Sequence, residues 1–117
     1  MEKNIKKTEL AIQQSCFMYF HNHYPKHRGL FFRIKNEGTS KISGAIGKAT
    51  GIVPGVSDMV LLVPPGKTLF LEFKTDTGRQ SPAQREWEKT VTTAGFEYHI
   101  IRSLDRFKQL CDDKIKN

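Results

Sequence analysis

The chain has 117 residues, 38% of them apolar and 10% aromatic. That length suits one domain with its own core and excludes a multidomain arrangement, while the apolar content excludes a disordered basic tail. Lys and Arg outnumber Asp and Glu by 19 to 12, a formal charge of +7 that points to a polyanionic partner.

In chain order, residues 2–24 contain neither Gly nor Pro and predict a helix. At 100° per residue Ile5, Ile12, Cys16, Tyr19 and Phe20 share a stripe, and Glu9 falls inside it. A carboxylate there is costly to desolvate unless a cation or donors meet it, so Glu9 either has a functional partner or lies at the stripe's margin and bends to solvent. After a turn at residues 25–29, residues 30–35 are rich in strand formers and place Arg33 and Lys35 on one face. Residues 36–55 hold five glycines with Lys41 and Lys48 among small residues, which reads as a loop with one short helix at 42–49.

Residues 58–63 and 68–74 then read as two buried strands joined by the tight Pro64-Pro65-Gly66-Lys67 turn, the centre of the sheet. Ser81-Pro82-Ala83-Gln84 announces a helix to about residue 94, with Ser81 as N-cap, Pro82 at the first position and Gln84 completing a capping box. Residues 96–101 form a further strand, and Ser103 caps a closing helix over 104–114. The whole is an α/β domain, a central mixed sheet flanked by helices, with no internal repeat or dividing linker.

Side chains two apart on a strand share a face, so Glu72 and Lys74 project together while Leu71 and Phe73 point the other way. Pairing of the two hairpin strands brings Asp58 beside Glu72. Two carboxylates held that close repel unless a divalent cation sits between them, and oxygen ligands suit Mg²⁺ or Mn²⁺. A lone Glu-x-Lys is more often a surface ion pair. Here apolar flanks on both strands, the upstream Asp58 and the acid in the first helix all favour a site.

These residues resemble a known family. Asp58 with Glu72-Phe73-Lys74 is similar to the PD-(D/E)XK nuclease signature, and Glu9 with Gln13, Phe32-Arg33-Ile34 with Asn36, the run from Gly51 to Asp58, and Gly78-Arg79-Gln80-Ser81-Pro82 with Gln84 resemble its VRR-NUC branch. The likeness spans residues 8–103, with Ser57 standing where a proline is usual. It implies a restriction-endonuclease-like core and a metal-dependent phosphodiester nuclease, whose stand-alone bacterial and viral members act as homodimers on branched DNA such as four-way junctions. It also implies that Asp58, Glu72 and the carbonyl of Phe73 hold the metal, that Glu9 completes the pocket directly or through water, and that Lys74 positions or deprotonates the attacking water. Gln84 would orient a partner of Lys74 or of the substrate, a role that can coexist with capping.

Arg33, Lys35, Asn36, Lys41 and Lys48 are candidates for phosphate contacts because their stretch leads into this site, with Arg79 on its other side. Tyr19, Phe20, Phe31, Phe32 and Trp87 read more simply as core than as a base-stacking surface. Zinc is disfavoured, since His21 and His23 project about 200° apart on a helix. Cys16 and Cys111 lack CxxC spacing, so reduced thiols are expected. No apolar run approaches the roughly 18 residues of a membrane span, and the start has no apolar signal core, so a cytoplasmic protein without a membrane partner is expected. Two rival functions remain: a non-catalytic nucleic-acid-binding module with a relic site, and a restriction-type endonuclease reading base sequence.

Overall fold

The computed structural model describes residues 8–34 and 41–115, with side chains for all of these except 41–44. Helix α1 spans Glu9–His23, strand β1 Phe31–Arg33, helix α2 Lys41–Ala49, strands β2 Met59–Val63 and β3 Lys67–Phe73, helix α3 Pro82–Thr93, strand β4 Glu97–Ile101 and helix α4 Leu104–Lys114. A single 3-10 turn, Pro25–His27, separates α1 from β1.

The sheet runs in the order β1-β2-β3-β4. The first three strands are antiparallel and β4 is parallel to β3, so the sheet is mixed. Three residues suffice between β2 and β3, with Gly66 at a φ of 67°, whereas parallel neighbours need a long crossover, which α3 supplies. The β2–β3 register pairs Met59 with Leu71, which sets Asp58 at the same end as Glu72.

Strand alternation sorts the sheet into two faces. Leu69, Leu71 and Phe73 turn to the face covered by α1 and α4, where they bury with Ile12, Cys16, Phe20, Phe31, Phe107 and Leu110. The opposite face of β3 carries Phe70, whose ring meets Trp87 of α3 edge-on at 4.9 Å, and Glu72. Both cysteines are buried, and neither is in a disulfide. Of the five aromatics named from the sequence, Phe20 and Phe31 are core, Tyr19 packs on its margin, Trp87 covers the α3 face, and Phe32 stays substantially exposed.

The helices at Ser81 and Ser103 begin where their predicted caps stand, and α1 begins after Thr8. Thr8 accepts from the N–H of Ala11, Ser81 from Gln84 and Ser103 from Arg106, each relieving an orphan N–H of the first turn. At Ser81 the box is complete, because the Gln84 side-chain oxygen accepts from the Ser81 N–H at 2.7 Å. Among the described residues no helix is long and apolar enough to cross a membrane.

Candidate active site

The end of the sheet where β2 begins and β3 finishes gathers the charged side chains. Asp58 precedes β2, and one of its oxygens accepts the N–H of Phe73 at 2.7 Å, so the carboxylate is pinned to the backbone of β3. Its own carbonyl accepts from the N–H of Ile34, which extends the β1–β2 pairing to the mouth of the site. Ser57 is buried and donates its hydroxyl to the carbonyl of Met59 at 3.2 Å, so it closes the turn before β2 by a side-chain bond. Burial pushes the Asp58 carboxyl above the usual aspartate range; the Phe73 N–H opposes this, the charges of Glu72 and Glu9 add to it, and Lys74 pulls it back.

Glu72 is 1% exposed and Lys74 7%. Lys74 follows the last residue of β3, and its N–H still pairs with the carbonyl of Ile101. Its Nζ lies 3.6 Å from Glu72 Oε2 and 3.8 Å from Glu9 Oε2. The first turn of α1 thus delivers Glu9 to the site, half-exposed, so the carboxylate inside the apolar stripe resolves as a partner of Lys74 at the stripe's end. The two oxygens of Glu72 differ. Oε1 accepts from the phenol of Tyr98 and, at 3.4 Å, from Gln80 Nε2, while Oε2 is buried with no hydrogen-bond partner.

Beside Asp58 opens a cleft of about 230 Å³ lined by Leu10, Gln13, Arg33, Ile34, Val56 and Ser57. Arg33 therefore faces the site from β1. Lys48 is exposed in the last turn of α2, and Arg79 is exposed next to Gln80. Lys41 opens α2, although its side chain is outside the described set; Lys35 and Asn36 lie outside the described residues altogether. Gln84 spends its oxygen on the Ser81 N–H, and the amide that reaches Glu72 is that of Gln80.

Three groups near the site carried no role in the sequence reading. Tyr98 and Gln80 hold Glu72, and Arg102 Nη1 donates to the carbonyls of Thr75 at 2.6 Å and Gly78 at 2.9 Å, tying the loop after Lys74 to the end of β4. Alternation places Tyr98 and Ile100 on one face of β4, but only the parallel register reveals that this is the face of Glu72. Gly55, at a φ of 82°, lets the loop before Ser57 press against the start of α3, where a Cβ would collide with the backbone of Ala83.

The donors suit a hard divalent cation. The carboxylates of Glu9 and Glu72 face the one ammonium of Lys74 with Asp58 at the same sheet end, and a buried carboxylate oxygen that accepts no hydrogen bond suits an oxygen-seeking cation. Among the described residues no three His, Cys, Asp or Glu side chains enclose a metal by themselves. Mg²⁺ is typically held by one or two carboxylates with water and phosphate oxygens completing its shell.

The fold is an α/β domain with the candidate site at one end of its mixed sheet. Residues 8–105 match the VRR-NUC domain model, and the chain belongs to that family. A solved VRR_NUC domain protein superposes with a TM-score of 0.76 at 19% identity, over 94% of this chain and 89% of its own. A second solved structure, a VRR_NUC domain, gives 0.62 at 19% identity, over 90% and 96%. A search of curated proteins finds no match.

Proposed function

We propose that the protein is a Mg²⁺- or Mn²⁺-dependent endodeoxyribonuclease acting on branched DNA such as four-way junctions. The observation that carries this reading is the meeting of Asp58, Glu72 and Lys74 at one sheet end, where Glu72 Oε2 is buried, accepts no hydrogen bond and has the Lys74 ammonium 3.6 Å away. Asp58, Glu72 and the Phe73 carbonyl would hold the metal, with Glu9 joining directly or through water. The ion supplies a lowered pKa for water and charge neutralisation at the phosphoryl group. Lys74 positions the attacking water and meets the negative charge that develops on the phosphoryl oxygens, where a low-dielectric setting strengthens its effect. Arg33, Lys41, Lys48 and Arg79 grip flanking phosphates, with Lys35 and Asn36 continuing the basic stretch.

The substrate class and a homodimeric state rest on the family likeness and on symmetry, since paired cuts across a junction call for two sites related by a twofold axis. A panel of four-way junction, flap, nicked duplex and single strand, with Mn²⁺, tests the reading. Wild type should cut the junction, and Glu72→Ala or Lys74→Ala should abolish cleavage while binding persists. A panel left wholly uncut by wild type would sink the enzyme reading and favour the binding module.

A further inference from the structure

The unequal treatment of Glu72's two oxygens is built by residues other than Asp58, Lys74 and Glu9. Tyr98, on β4, donates its phenol to Oε1. Gln80 donates to the same oxygen at 3.4 Å and to Glu88 Oε1 of α3 at 2.9 Å. An amide nitrogen carries two hydrogens, so one Gln80 group can bridge two carboxylates, and the acceptor character of both partners fixes which end of the amide faces them. The Tyr98 ring is held in turn by Trp87, 6.0 Å away between centroids, and Trp87 by Phe70. The donors thus come from β4 and from the loop before α3, and both converge on Oε1. Oε2 is left turned towards Lys74, at a distance too long for a hydrogen bond.

We infer that Tyr98 and Gln80 are positioning residues that clamp Glu72 by Oε1, so that Oε2 is presented in a single orientation to the divalent cation and to Lys74. The inference rests on the metal-dependent reading above and deepens it. Hydrogen bonds to an ionised acceptor are the strong ones, and a carboxylate held by one oxygen no longer rotates freely about its terminal bond. Groups that orient a metal ligand without touching the metal typically change metal affinity or activity by about 10–100-fold when removed.

Tyr98→Phe removes the hydroxyl and keeps the ring that packs on Trp87. Gln80→Met keeps the length and removes the donors, and serves as the second probe should the first variant fold poorly. Mn²⁺ affinity is measured by titration calorimetry or by paramagnetic resonance of the free ion, on wild type, both variants and Glu72→Ala, with melting curves alongside. Each variant should bind Mn²⁺ about tenfold more weakly than wild type, with kcat reduced and KM for junction DNA unchanged. Mn²⁺ affinity and kcat equal to wild type in both variants would overturn the clamp, while Glu72→Ala still losing Mn²⁺ would leave the metal reading standing. Wild type that takes up no Mn²⁺ would overturn both.

Discussion

Asp58 shows how a residue of the candidate site can act against the stability of its own fold. Its carboxyl titrates above the ordinary value of 3.8, chiefly through burial. Between that ordinary value and the raised one, the folded protein keeps a proton that the unfolded chain has released, so stability falls as pH rises through this window. Asp58→Asn should therefore melt a few degrees higher than wild type at neutral pH, because an amide oxygen can still accept the Phe73 N–H without the charge, and should lose cleavage. A lower melting temperature for the variant would show that the carboxylate is repaid within the apo fold. Asp58, Glu72 and Lys74 were legible in the sequence because strand alternation and one short hairpin suffice to bring them together. Tyr98 was not, because its face relative to Glu72 depends on a parallel register that no local pattern encodes. Gln80 was part of a recognisable run, yet its polar side chain had no visible partner until α3 and β3 were placed.

At the scale of the element, the start of α3 has two duties in close quarters. It caps itself through Ser81 and Gln84, and it receives the glycine loop at Gly55. The double role expected for Gln84 can be separated by substitution. Glu preserves the capping box and Ala does not, so Gln84→Ala should cost about 1 kcal/mol in urea unfolding, whereas Gln84→Glu should remain within about 0.5 kcal/mol of wild type. Loss of cleavage by a well-folded Gln84→Glu would assign the amide a role at the site beyond capping. All the predicted elements occur in the predicted order, since caps, a tight turn and alternating strands are local signals. The strand expected over 30–35 is described only as Phe31–Arg33, and as an edge strand β1 has a single partner to define its length. The helix expected over 2–24 is described from Glu9, where Thr8 caps it, and residues 1–7 lie outside the described set.

Across the whole molecule, charge and chemistry are divided along the chain. Residues 1–57 carry nine Lys or Arg and three acids, net +6, and residues 58–117 carry ten and nine, net +1. The basic half includes β1 and α2, and the near-neutral half holds Asp58 and the β3 charges. If the first half grips phosphates, Lys41→Ala combined with Lys48→Ala should weaken DNA binding and reduce the slope of log affinity against log salt by about 2. An unchanged slope would return these lysines to a merely solvated face. The separation also bears on how the molecule comes into being. Asp58 and Glu72 are neighbours across one hairpin, a contact with little loop to close, whereas the phenol that holds Glu72 arrives from 26 residues further on, after a helix has crossed over. The acidic pair can therefore assemble early and unrestrained, and Glu72 is held in one orientation only when β4 docks. Catalytic competence would then mark the completion of folding.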